Sequence, residues 1–409
     1  LGGVFRSLPG DPGDLGPREA FLAVAVIWLL VAAIGAIPFV VAATGTIAHP
    51  INAIFEAMSG LTTTGATTLQ EFSIHDRSIL MWRQLIQWLG GLGILILATA
   101  ILSELGVGGA QLMESESQTR NVNKLTPRIS ETARLIWGLY LGLTGLAVVV
   151  YYGLGLTGLA PNMDLYNAVA HAFTSVATAG FSPEPLSIGA FAPVLQWAVI
   201  PFMIAGSTSF VLMYLAINGE PMRLLRNEEF RFYIGTLVFF STVVVAMLFV
   251  TPETDFGAEA TLRHAVFNVV SIVTTTGYAS TDFGLWSAAA KHMLFLSMFL
   301  GGMVGSTTCS IKSLRWLVAL KAFKRNLFTS VHPEAVKPIR LSGKAVDEDT
   351  IRDIYAYLLL SIVIFFLFTI FVAVDSARVG AGVSEFEAMG AAASTFLNIG
   401  PAFGDAGPY

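Results

Sequence analysis

The chain has 409 residues, of which 54% are hydrophobic and 12% charged, with a mean hydropathy of +0.69. Soluble domains carry about 25% charged residues, so this composition argues against a water-soluble globule. The net charge of −5 argues against bulk electrostatic binding of nucleic acid, and the lone Cys309 excludes an intramolecular disulfide framework or a cysteine-ligated zinc site.

The first twenty residues are rich in Gly, Pro and charge and lack the basic start and apolar core of a signal peptide. Because the chain opens on Leu1 and closes on an unfinished-looking loop at Tyr409, both ends are expected to be cut from a longer protein. Seven apolar runs follow in order, at 21–43, 79–102, 133–156, 191–217, 232–250, 288–322 and 354–374. Each is long enough to cross a bilayer, given some tilt. Between them lie shorter Thr- and Gly-bearing segments at 51–66, 165–181, 262–278 and 386–401. These are too short to cross and read as re-entrant: a half-helix followed by irregular backbone, which a membrane tolerates only where it is buried or lines water.

The short segments align on Gly65, Gly180, Gly277 and Gly400, spaced 115, 97 and 123 residues apart. Two positions before the glycine stand Thr63, Thr178, Thr275 and Asn398; six before it, Ser59, Thr174, Ser271 and Ser394; twelve before it, Ala53, Ala168, Ala265 and Ala388. Three such uniform columns mark an internal repeat. The predicted fold is therefore an all-α integral membrane protein with four pseudo-repeats of span, re-entrant pore loop and span around a central pore, the last span missing. Its divisions are 1–103 (N-terminal segment and repeat 1), 104–217 (a cytoplasmic linker and repeat 2), 218–323 (repeat 3, with an interrupted second span) and 324–409 (a cytoplasmic linker and incomplete repeat 4).

Basic residues set the orientation. The linkers between repeats hold Arg120, Lys124, Arg128 and Arg134, then Arg223, Arg226 and Arg231, then Lys321, Lys324, Arg325, Lys337, Arg340, Lys344 and Arg352, fourteen of the 23 Lys and Arg. Opposite loops hold few, such as Arg77, Arg263 and Arg378. By the positive-inside bias the linkers are cytoplasmic and the re-entrant segments enter from outside.

A dehydrated cation needs several oxygens at once to replace its water shell, and rings of backbone carbonyls supply them without fixed charge. Glycine reaches the required backbone angles cheaply, and a half-helix turns its partially negative carboxyl end toward the ion. The four segments carry this grammar as Thr62-Thr63-Thr64-Gly65, Ala177-Thr178-Ala179-Gly180, Thr274-Thr275-Thr276-Gly277-Tyr278 and Leu397-Asn398-Ile399-Gly400. A single copy fits helix-packing surfaces equally well; four copies in register point to a cation path.

These stretches, with 56–67, 301–312 and 395–401, resemble the TrkH/TrkG–KtrB–HKT superfamily of potassium transporters, most closely its bacterial TrkH branch. The resemblance runs from about Ala20 to Tyr409. It implies potassium uptake across the cell inner membrane, with potassium as the transported ion and no catalytic cofactor or enzyme activity. It also implies a homodimer and a cytoplasmic nucleotide-binding subunit of the TrkA type. Potassium contacts carry over to Thr62, Thr63, Gly65, Ala177, Thr178, Gly180, Thr274, Thr275, Gly277, Leu397, Asn398 and Gly400, with the Thr64, Ala179, Thr276 and Ile399 carbonyls as further candidates. In plant relatives a serine at the first glycine position accompanies sodium permeability; glycine stands there in all four segments here.

The run 288–322 is too long for one straight crossing and is broken by Gly301, Gly302 and Gly305, followed by Ser306 and, beyond it, Lys312. The resemblance implies an intramembrane gate loop; the residues alone also fit a kinked helix with small packing residues. Relatives often carry further glycines where this chain has Thr308-Cys309-Ser310, and the family's final span, with its gate-facing arginine, is expected beyond Tyr409. Lys312 fits either a pore charge or a lysine reaching cytoplasmic water. Cys309 reads as a small packing residue. Glu56 and His171, each nine before its glycine, fit either a charged lining or a hydrogen bond to a neighbouring span, and Arg83 and Lys291 read as anchors. Asp164, Asp255, Asp282 and Asp405 fit cation-concentrating or plainly solvated loops. A secondary transporter of a small polar solute, bound at the midplane among broken helices, is the competing expectation.

Overall fold

Backbone placed in hydrocarbon must satisfy its own N–H and C=O groups, and a helix does so within one segment. The computed structural model describes residues 17–105, 129–250 and 256–408. Its helices, in chain order, are α1 (Pro17–Ala42), α2 (Pro50–Leu61), α3 (Arg77–Leu105), α4 (Ile129–Leu156), α5 (Leu165–Val176), α6 (Pro193–Gly206), α7 (Phe210–Ile217) and α8 (Pro221–Arg226). They continue as α9 (Glu228–Val250), α10 (Ala258–Val273), α11 (Ala288–Ser297), α12 (Ser313–Val331), α13 (Glu348–Val379) and α14 (Glu385–Leu397). Among the described residues the only strands form a two-residue hairpin, Arg340–Leu341 against Lys344–Ala345. Arg120, Lys124, Arg128 and Asp255 of the sequence reading lie outside the described residues.

Four described helices are long and apolar enough to cross a membrane: 22–42 in α1, 134–156 in α4, α9 and α13. Their apolar side chains face outward. On α13, Leu359, Leu360, Val363, Phe366, Leu367, Ile370 and Phe371 are all exposed, as lipid-facing residues must be. This is an integral membrane protein.

The short helices α2, α5, α10 and α14 each pack on the long helix before them, and α5 and α10 also pack on α3 and α6 respectively. Pro50 sits at the first turn of α2, where a missing N–H costs nothing. Asp164 caps α5 by accepting from Asn167 N, and Ser384 with Glu387 closes a reciprocal capping box on α14. The larger apolar core runs from Leu92 and Leu95 on α3 through α5, α6, α9 and α10 to α14, and another, with Phe39, Ala53, Ala57 and Ile86, joins α1, α2 and the start of α3.

Two long runs depart from the sequence reading. The run 191–217, expected to cross as one span, is α6 and α7 bent by 103°. Gly206 allows the turn: a Cβ there would meet Val176 O at 2.6 Å. The run 288–322 is two helices, α11 and α12, joined by non-helical backbone across 298–312, so its interruption extends a few residues beyond the expected 301–312.

Candidate functional site

Each short helix ends where its glycine loop begins, and the four loops share one backbone pattern. The residue two before each glycine lies in the left-handed region: Thr63 at φ 60°, Thr178 at 49°, Thr275 at 51° and Asn398 at 62°. The glycines are left-handed too, at 81°, 77°, 80° and 109°. Alternating left-handed with ordinary backbone turns successive carbonyls toward one side of the strand. The carbonyl of the residue six before each glycine anchors the pattern: Ser59 O accepts from Thr64 N (2.9 Å), Thr174 O from Ala179 N (2.9 Å), Ser271 O from Thr276 N (2.8 Å) and Ser394 O from Ile399 N (2.9 Å).

The loops close on one another. A Cβ added at Gly65 would lie 2.4 Å from Ala179 O, one at Gly180 1.9 Å from Thr276 O, one at Gly277 2.1 Å from Ile399 O, and one at Gly400 2.7 Å from Thr64 O. First loop touches second, second third, third fourth, and fourth first. The structure therefore brings Gly65, Gly180, Gly277 and Gly400 into one ring, each glycine three residues beyond the carboxyl end of its short helix at Thr62, Ala177, Thr274 or Leu397.

Side chains tie the ring unequally. Asn398 Nδ2 donates to Thr62 O at 2.9 Å, and Thr64 Oγ1 donates to Asn398 Oδ1. The Tyr278 hydroxyl bonds Thr174 Oγ1 and donates to His171 O at 3.2 Å, joining third loop to second helix. Tyr278 was quoted in the sequence motif, but its partner lies 104 residues away, so no local signal revealed the tie.

The 298–312 stretch reaches the left-handed residues of the second and third loops. Thr307 Oγ1 and Thr178 Oγ1 are 2.9 Å apart, Cys309 N donates to Thr275 Oγ1 at 3.1 Å, and Cys309 lines one cavity with Thr62 and Asn398. Cys309 is thus a contact of the ring rather than generic packing. The stretch is held from outside as well. Gly206 O accepts from Thr307 N (3.1 Å) and Thr307 Oγ1 (2.9 Å), Ser207 O accepts from Met303 N (3.0 Å), and Glu229 Oε1 accepts from Val304 N (2.8 Å). Gly302 packs so closely that a Cβ would meet Ser207 O at 2.7 Å, and Gly305 is left-handed at φ 77°. Lys312 turns back on its own loop, donating to Thr308 O, to Thr308 Oγ1 at 3.1 Å and toward Ser306 Oγ at 3.5 Å. Beside the loop, a cavity of about 360 Å³ is lined by Thr62, Leu397 and Asn398 together with Cys309 and Ser310.

The other singled-out residues take structural places. Glu56, fully buried, pairs with buried Arg83 at 2.7 Å and accepts from Thr68 N at 3.0 Å, so Arg83 joins α3 to α2 instead of anchoring at an interface. His171 bonds Asn167 O and Ser182 Oγ, and Lys291 donates to Gly284 O. Asp164 faces Arg77 at 3.4 Å besides capping α5, and Asp282 accepts from Gly284 N. Among the described residues no cluster of His, Cys, Asp or Glu is arranged to hold a metal.

Fold and ring define the class: a polytopic membrane protein built around a polar, glycine-lined centre of four loops. The family model TrkH, described as a cation transport protein, matches residues 12–408, and the chain belongs to that family. It is 34% identical over 398 residues to the Trk system potassium uptake protein TrkH of Escherichia coli (strain K12), covering 96% of this chain and 79% of that one. To the Trk system potassium uptake protein TrkG of the same strain it is 32% identical over 373 residues, covering 90% and 73%. The crystal structure of the potassium transporter TrkH from Vibrio parahaemolyticus matches with a TM-score of 0.83 at 29% identity, covering 97% of this chain and 80% of that one.

Proposed function

We propose that this chain takes up potassium ions across the cell inner membrane through the opening enclosed by the four loops. Ring carbonyls and threonine oxygens replace the ion's hydration shell there. The closed cycle of glycine-to-carbonyl contacts carries the reading, because it offers oxygens from four sides without a fixed charge that would trap the ion. Thr62, Thr63, Gly65, Ala177, Thr178, Gly180, Thr274, Thr275, Gly277, Leu397, Asn398 and Gly400 form the ion contacts in this proposal. The family, and relatives named as potassium uptake proteins, support potassium as the cargo.

The 298–312 loop, contacting Thr178 and Thr275 and sharing a cavity with Asn398, serves as the gate, with Gly301, Gly302 and Gly305 permitting its shape and Lys312 placing positive charge beside it. The same proposal treats 1–103, 104–217, 218–323 and 324–409 as four units around the opening. It also includes a homodimer with a TrkA-type cytoplasmic subunit; a monomeric mass in detergent by light scattering contradicts the dimer.

Gly65→Ser tests the ion path. Its side chain would collide with Ala179 O at a left-handed φ, displacing one wall of the ring. Reversal potentials should then show a reduced preference for potassium over sodium; an unchanged preference with normal protein yield sinks the assignment.

A further inference from the structure

Gln87, on α3, is fully buried and lies outside all four glycine motifs. Its Nε2 donates to Ala179 O at 2.7 Å and its Oε1 accepts from Phe181 N at 2.9 Å, so one amide bridges the backbone on both sides of Gly180. The same Ala179 oxygen is the atom that a Cβ at Gly65 would approach to 2.4 Å, and Gln87 Nε2 lies 3.7 Å from that position. Gln87 thus stands behind the junction of the first and second loops and touches the carbonyl that forms it.

We infer that Gln87 is a positioning residue for the ion path: its amide fixes the direction of the Ala179 carbonyl and the turn at Gly180. The inference rests on the proposed ion path and deepens it. The chemistry is specific to a primary amide of this length, because the site needs one donor for Ala179 O and one acceptor for Phe181 N on the same planar group. Met keeps the bulk and offers neither. A glutamate carboxylate keeps the shape and the acceptor but lacks the donor. Protonated glutamic acid has one donor and one acceptor again.

The test uses the protein in vesicles, with rubidium uptake and rubidium-over-sodium reversal potentials measured per molecule of protein. Gln196→Met serves as a matched control, since Gln196 is also buried but donates to Ile188 O and Phe191 O and accepts from the Arg263 guanidinium, none of them a residue of the four glycine motifs. Gln87→Met, which removes both hydrogen bonds, is expected to raise the half-saturating rubidium concentration, and to lower the preference over sodium, by at least roughly tenfold. Gln196→Met should leave both values at wild type. Gln87→Glu should be impaired at high pH and recover as pH falls and the carboxyl gains its proton. Comparison with wild type at each pH removes the contributions of Glu56, Arg83 and His171. Wild-type affinity and preference in both Gln87 variants, with only the yield reduced, would make Gln87 a folding residue and overturn the inference. Wild-type vesicles that carry no rubidium would instead overturn the proposed function itself.

Discussion

A threonine at φ near +50° to +60° is a β-branched residue in a region it rarely visits, at a cost of about 1–3 kcal/mol. The chain accepts this at Thr63, Thr178 and Thr275. The glycine column was legible in the sequence, because glycine there signals unusual backbone. The left-handed threonines were not, because nothing local distinguishes them from threonines in ordinary loops. Glu56 was legible only as a choice between pore lining and structural bond, since its partner Arg83 lies 27 residues away on another helix. With both side chains buried, Glu56→Gln leaves the Arg83 guanidinium without its countercharge. Truncating one partner of such a pair costs about 3–5 kcal/mol. Thermal melting in detergent should drop sharply for Glu56→Gln, and the double variant Glu56→Gln/Arg83→Met should recover part of the loss. Equal melting of Glu56→Gln and wild type would show that the pair contributes nothing to the fold.

Hydropathy reads length and composition well, so α1, α4, α9 and α13 were legible as spans. It is blind to direction, and the run 191–217 passed as one crossing although α6 and α7 meet at 103°. The cause lies elsewhere in the chain. At Gly206 and Ser207 the freed carbonyls find partners in Thr307 and Met303 of the 298–312 loop. Two interruptions about a hundred residues apart thus complete each other's hydrogen bonding, which is how broken helices persist at membrane depth. The mutual support also gives the proposed gate a hold to release. Thr307→Val removes the hydroxyl bond to Gly206 O and the contact with Thr178 Oγ1 while keeping the volume. Each buried bond is worth about 1 kcal/mol, so with both lost the resting position of the loop should fall roughly thirtyfold in population. Basal rubidium leak should rise by a similar factor. A leak at or below wild type would mean that this bond does not hold the loop across the path.

At the scale of the molecule, register was legible and closure was not. The columns at the glycine and at two and six positions before it predicted four similar segments, and the backbone repeats to within a few degrees at Thr178 and Thr275. The ties between segments break the symmetry, and the six-before column shows how. Ser59 and Ser271 donate to the carbonyl after their glycines, Thr174 meets Tyr278, and the Ser394 hydroxyl is buried without a partner among the described residues. Fourfold sequence similarity therefore encodes the backbone, while each junction is held by its own chemistry. If the loops act as one closed ring, a defect at one junction must be felt at another. Asn398→Ala opens the junction of fourth and first loops, and Tyr278→Phe loosens that of second and third. The two residues share no hydrogen-bond partner, and such changes ordinarily add within about 0.3–0.5 kcal/mol. A ring that transmits strain predicts instead a coupling of about 1 kcal/mol in rubidium affinity. A midplane solute site, the competing expectation for a chain of broken helices, has no reason to couple these two junctions through a monovalent cation. Additive effects on affinity would separate the loops into independent ligands and leave the closed ring without energetic meaning.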